Sequence, residues 1–102
     1  MPLETPTVHI KNDQLQIQGE LVFATVSNLL ETGNRLLAQL EGSAVVLNMQ
    51  AVKRVDSAGL ALLIEWYRTG LKLNKAMRLQ NVPGQALSLI ETYKLNTFFK
   101  SQ

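Results

Sequence analysis

The sequence predicts an α/β fold in which a mostly parallel sheet carries packed helices, in the order β-β-α-β-α-β-α. Three observations point to it. Near the start, apolar and polar residues alternate with period two, the signature of half-buried strands. From Val26 onward the apolar residues recur three and four apart, which is helical spacing. Strand-like and helix-like stretches then alternate to the end, a pattern that implies parallel strands joined by helical crossovers.

The elements follow in order. Val8-His9-Ile10 and Leu15-Gln16-Ile17 are the first two strands, and Asn12-Asp13 between them suits a tight hairpin turn. Val26, Leu29, Leu30, Gly33, Leu37 and Leu40 form the apolar stripe of a first helix, with Gly42 placed to close it as a left-handed cap. Ala44-Val45-Val46-Leu47 is a short continuous apolar run, the pattern of a central strand covered on both faces. A second helix is expected from Ser57 to about Leu73, with Leu60, Leu63, Ile64, Tyr67 and Leu71 on its inner side. Met77-Arg78-Leu79-Gln80 alternates again as a fourth strand. Pro83-Gly84 then breaks the chain, and Ala86, Leu89, Ile90 and Tyr93 mark a last helix. With no repeat, linker or low-complexity segment, residues 1–102 are expected to form one domain.

Composition narrows the function classes. Hydrophobic residues make up 46% and charged residues 18%, so the chain can bury a core. The net charge of +2 is too small to imply nucleic-acid binding, and the basic residues are not clustered. Their placement is uneven: residues 1–50 carry a balance of −3 and residues 51–102 one of +5. Such an asymmetry can steer an acidic partner or can simply be a solvated surface. Without cysteine there is no disulfide or thiolate site, and the lone histidine, His9, cannot build a metal cluster. No metal or other cofactor is expected. The start, Met1-Pro2-Leu3-Glu4, lacks the basic and apolar regions of a signal peptide. The longest apolar stretch, residues 58–64, is far short of the roughly 20 residues that cross a bilayer. The expectation is a cytoplasmic protein, held at the inner membrane only through other proteins.

The informative stretch is Arg54-Val55-Asp56-Ser57-Ala58-Gly59-Leu60-Ala61-Leu62-Leu63, where a strand gives way through a short loop to a long helix. The first helical turn presents unpaired N–H groups and a partial positive charge, and either Asp56 or Ser57 can accept from them as N-cap. Ala58, Gly59 and Ala61 leave the turn nearly bare, which either lets another molecule approach or permits tight packing on the sheet. Further along, Leu62 and Trp66 lie four apart on an outward face, beside a row of Ala58, Ala61, Glu65, Arg68 and Lys72. Trp66 there is either a binding anchor or peripheral core. Glu65 and Arg68 are placed to pair on the surface.

Asp56-Ser57-Ala58-Gly59-Leu60, after an apolar strand, resembles the signature of the STAS domains, the anti-sigma factor antagonists and the cytoplasmic tails of sulfate transporters. The resemblance covers residues 8 to 100. It implies a sheet of about four strands with helices largely on one face, and no catalysis. In the antagonists the serine at the position of Ser57 is phosphorylated by a partner kinase. Within the family the chain is most similar to the MlaB type, the subunit of the ABC transporter that maintains outer-membrane lipid asymmetry. The residues carrying this are the stretch above, Leu79-Gln80-Asn81-Val82, Ala86-Leu87, Ile90 and Tyr93-Lys94-Leu95. The resemblance implies docking on an ABC transporter ATPase subunit through a surface that includes Ser57. With the bare first turn and the outward helix face, the expected contact residues are Asp56, Ser57, Ala58, Gly59, Ala61, Leu62, Glu65 and Trp66. The alternative partner is an anti-sigma factor kinase.

Enzymatic activity is disfavoured on the residues themselves. The chain has no Gly-rich phosphate loop, no metal-ligand spacing and no close carboxylate pair, and Ser57 has no base beyond a histidine on a peripheral strand. A phosphate on Ser57 would add about −1.5 to −2 charges at a helix N-terminus, tolerable to the fold but costly in an apolar interface. A Ser57→Glu variant is therefore expected to keep its circular dichroism spectrum and melting temperature while losing partner binding. Normal binding by the folded variant would remove Ser57 from the interface.

Overall fold

The alternation at the start of the chain resolves into the expected hairpin. In the computed structural model, which describes residues 5–96 and 99, strand β1 (Thr7–Lys11) pairs antiparallel with β2 (Gln14–Leu21). Asn12 and Asp13 take φ of 54° and 60°, the left-handed pair that a two-residue hairpin turn needs. The stretch read for a leader and the end of the span 8–100 lie outside the described residues. A single 3-10 turn, Val26–Asn28, leads into helix α1 (Leu29–Gln39). Strand β3 (Ala44–Val55), helix α2 (Ser57–Lys72), strand β4 (Ala76–Gln80) and helix α3 (Gly84–Thr92) complete the predicted order. The sheet order is β1-β2-β3-β4, with β2, β3 and β4 mutually parallel.

One face of this sheet is covered. Leu15, Ile17 and Leu21 of β2 and Val45, Leu47 and Met49 of β3 are buried, while Gln14, Gln16, Gln18, Asn48 and Gln50 between them are half-buried or exposed. The two-faced burial expected for β3 is thus corrected: Ala44 is exposed and Val46 only half-buried. β3 also continues through residues 51–55, where a loop was expected. Its register against β2 slips by one residue twice, and each slip is a bulge that adds a residue to β3. Buried positions there fall three apart, at Met49, Val52 and Val55. Asn48 Oδ1 supports this region, accepting from Gln50 N–H at 3.0 Å and from Asn81 Nδ2 at 3.1 Å.

Helix α1 ends differently from the expectation. Gly42 has φ 94° but lies beyond the helix, whose C-cap residue Leu40 is extended. Lys75, at the start of the approach to β4, instead donates its Nζ to the carbonyls of Leu37 and Leu40. An ammonium on the last carbonyls satisfies orphan acceptors and opposes the negative end of the helix dipole. The basic excess of the second half is partly engaged in this way. Arg54 pairs with Glu20 across β2 and β3 at 3.3 Å, and Arg68 with Glu65 at 3.1 Å.

Helix α2 is flanked by α1 and α3 and lies over the sheet, so most of its circumference is buried. Trp66 is 0% exposed, corrected from the outward position expected of it, and Leu62 is 5% exposed. The indole crosses α1 at Gly33 and donates Nε1–H to the Leu30 carbonyl at 3.1 Å. Its polar atom is therefore satisfied inside the core. A methyl group at residue 33 would lie 2.2 Å from the indole ring. The row left facing outward is Ser57, Ala61, Glu65, Arg68 and Lys72. Leu30 and Leu71, placed on inner stripes by their spacing, are 38% and 52% exposed.

Gly33→Ala sets helix propensity against packing. Propensity alone favours alanine by about 1 kcal/mol. Overlap with a fully buried ring costs about 1–3 kcal/mol. Urea denaturation is expected to show a net loss of stability; a stabilised variant would mean that the indole does not rest on this glycine.

Candidate docking site

The helix start predicted to carry function is built around one carboxylate. Asp56 follows β3 directly and is the N-cap of α2; its Oδ1 accepts from Ala58 N–H at 2.9 Å and Gly59 N–H at 3.1 Å. Its Oδ2 accepts from Phe23 N–H at 3.0 Å, in the loop after β2. The backbone N–H of Asp56 donates to Leu21 O at 3.2 Å, so the same residue also ties down the end of β2. Burial alone would raise the carboxyl pKa. The three backbone donors and nearby Arg54 outweigh it and hold the group below its ordinary value.

With Asp56 as cap, Ser57 is free of that task. It is exposed, and its hydroxyl lies 3.4 Å from the Tyr93 hydroxyl at the end of α3. Lys94 adopts φ 56° and Leu95 N–H donates to Ile90 O at 2.8 Å, a left-handed helix ending that turns Leu95 back toward α2. Ser57, Leu60, Ala61, Ile64, Tyr93 and Leu95 then line an open apolar cleft of about 290 Å3. On the other side of α2, Val26, Ser27, Leu30, Ala58, Ala61, Leu62 and Glu65 line a second of about 240 Å3. Ala61 is exposed and borders both.

The site residues expected from sequence thus separate into layers. Ser57, Ala61 and Glu65 are exposed, and Ala58 is half-buried beside them. Gly59, Leu62 and Trp66 are buried: the outward position expected of Leu62 and Trp66 is corrected, and Trp66 takes the alternative of a core residue. Gly59 is buried against β2, and a Cβ there would lie 2.1 Å from Leu21 O, so it serves the packing of α2 on the sheet. Leu62 forms the floor of one cleft, and Trp66 lies beneath the surface altogether. Tyr93, Leu95, Val26, Ser27 and Leu30 come to this face from other elements. No local spacing in the sequence joins them to Ser57. Among the described residues no group of three or more His, Asp or Glu side chains could hold a metal ion.

Fold and helix start together define a STAS domain. The family model described as "Mlab, STAS domain" matches residues 7–100, and the chain belongs to that family. It is 37% identical over 80 residues, 76% of each chain, to the protein of Haemophilus influenzae called "Intermembrane phospholipid transport system binding protein MlaB". Solved structures share the fold at lower identity. The unphosphorylated anti-sigma factor antagonist SpoIIAA superposes with a TM-score of 0.72 at 15% identity, over 96% of this chain and 88% of that one. An anti-sigma factor antagonist from Mycobacterium paratuberculosis does so with a TM-score of 0.75 at 20% identity, over 95% and 83%.

The Asp56 carboxylate makes acid stability testable. Its folded-state pKa is depressed, so its contribution is fully present above the unfolded-state value, about 3.9, and is lost as pH falls through the folded-state value. Asp56→Ala is expected to lose about 1–2 kcal/mol at neutral pH, the range for an N-cap. Its stability should also fall less steeply below about pH 4 than that of the parent chain. Equal acid slopes in urea titrations would show that the carboxylate bonds do not contribute.

Proposed function

We propose that this chain is a non-catalytic cytoplasmic subunit that binds the ATPase of an ABC-type phospholipid transport system and modulates it. One observation carries the reading: exposed Ala61 stands between two apolar clefts, beside a helix start where Asp56 caps the amides of Ala58 and Gly59. Such a face offers a narrow ridge and two sockets of side-chain size. The clefts are open and shallow, unlike pockets that enclose most of a small ligand. They suit apolar side chains of a protein partner better than a phospholipid. The relative named as the binding protein of an intermembrane phospholipid transport system supports that partner class.

Ser57, Ala58, Ala61 and Glu65 are the contact residues in this reading. Asp56 positions the loop and helix around them, and Gly59, Leu62 and Trp66 hold the helix from beneath. Binding one conformation of the ATPase better than another would shift its equilibrium, with no chemistry performed by this chain. No helix among the described residues is long and apolar enough to cross a membrane. The subunit would therefore meet the inner membrane through the transporter. The second reading, an anti-sigma factor antagonist switched by phosphorylation, is favoured by the exposure of the Ser57 hydroxyl and its freedom from capping.

The test is direct reconstitution with the ATPase subunit of the same organism's phospholipid transporter. Ala61→Glu places a carboxylate where both clefts meet, on a surface position that the fold does not need. A loss of affinity of at least tenfold, about 1.4 kcal/mol, is expected with an unchanged melting temperature. Full binding by this variant would sink the docking surface. Binding only to an anti-sigma kinase would select the second reading.

A further inference from the structure

Phe23 is 82% exposed, well beyond any other exposed large hydrophobic side chain among the described residues. It does not sit on a loose loop. Its N–H is held by Asp56 Oδ2 at 3.0 Å. Two residues on, the Thr25 hydroxyl donates to Glu20 O at 2.6 Å and accepts from Val22 N–H at 3.1 Å. Thr25 N–H donates to Val22 O at 2.8 Å, and Val26 and Ser27, next in the chain, form a wall of the smaller cleft. A water-exposed aromatic on a loop braced at both ends is costly to leave bare and loses little entropy on binding.

We propose that Phe23 is the aromatic anchor of the docking face, inserting into an apolar socket on the protein partner beside the Ala61 ridge. The proposal rests on the docking reading above and extends it to a loop that the helix-start motif does not include. A protein socket is favoured over a membrane by the charges around the loop. The charged residues bonded to this loop are Asp56, through its carboxylate, and Glu20, through its carbonyl, and Arg54 pairs with Glu20. The charge at these contacts is thus acidic or paired rather than the cationic cluster that binds anionic lipid. Continuity favours it as well. One carboxylate bonds both the Phe23 amide and the first turn of α2, so loop and ridge are presented as one surface. Asp56 is the positioning residue in this arrangement.

Affinity for the transporter ATPase subunit is the measurement, with Ala61→Glu in parallel. Phe23→Ala is expected to bind about ten- to a hundredfold more weakly, as loss of a buried aromatic implies, with an unchanged melting temperature. Phe23→Leu should restore most of the loss. Asp56→Asn can still cap α2 but turns an amide toward the Phe23 N–H. Hydrogen exchange at the residue 23 amide should then accelerate while that at Ala58 and Gly59 does not. If Ala61→Glu abolishes binding and Phe23→Ala leaves it intact, the anchor is refuted and the docking surface stands. If neither substitution matters, the surface itself is wrong. Binding of the isolated chain to phosphatidylglycerol–phosphatidylethanolamine vesicles that is lost in Phe23→Ala would overturn the protein socket in favour of a membrane.

Discussion

Both oxygens of the Asp56 carboxylate are occupied, by groups from different parts of the chain. One closes the first turn of α2, and the other holds the loop that follows β2. The backbone N–H of the same residue reaches the last carbonyl of β2. Strand end, loop and helix start are therefore fixed to one another by a single residue at the carboxyl edge of the parallel strands. Open α/β sheets commonly place their functional loops at that edge. Here the consequence is specific: because Asp56 caps the Ala58 and Gly59 amides, the exposed Ser57 hydroxyl is left free of that task.

The outer surface around Ser57 rests on close packing beneath it. Gly59 lets α2 descend onto Leu21 O, and Gly33 lets the Trp66 indole pack closely on α1. Neither contact tolerates a Cβ without displacement. The helix is consequently clamped from two directions, with the indole N–H bonded to Leu30 O as a further constraint. The clefts beside Ala61 are the gaps left where α1 and α3 stop short of covering α2. Their shape is set by the packing of the core.

Electrostatics plays a smaller part than the uneven charge of the two halves suggests. Lys75 completes α1, and Arg54 and Arg68 each meet a carboxylate. The two ion pairs are partly exposed and contribute little to stability. Within the docking face, Glu65 lies at the rim of one cleft and the floor of both is apolar. In the proposed docking, recognition there would rest chiefly on shape and apolar burial, and for the same reason a charge introduced on the ridge would be disruptive.

Much of the architecture was legible from local pattern. The hairpin followed from Asn12-Asp13 between two alternating runs, and the three helices followed from spacings of three and four. The helix start stood out because Asp followed by small residues is a chemically recognisable cap. Two kinds of feature were hidden. Bulges added residues to β3, so Met49, Val52 and Val55 repeat every three positions and the strand's second half loses its period. Periodicity also could not say how many sides of α2 would be covered. A helix flanked on two sides and below buries Leu62 and Trp66 along with the predicted stripe.

By itself, then, the sequence determined the element order, the cap and the candidate surface around Ser57 and Ala61, all properties of neighbours along the chain. Only the tertiary structure decided which of those residues are exposed and which are buried. It moved Gly59, Leu62 and Trp66 inward, and brought Phe23, Leu30, Tyr93 and Leu95 to the outer face. The reason is geometric: exposure depends on which elements pack against a residue, and those elements are set by contacts between residues some thirty or more positions apart, as with Trp66 and Leu30 or Ser57 and Tyr93.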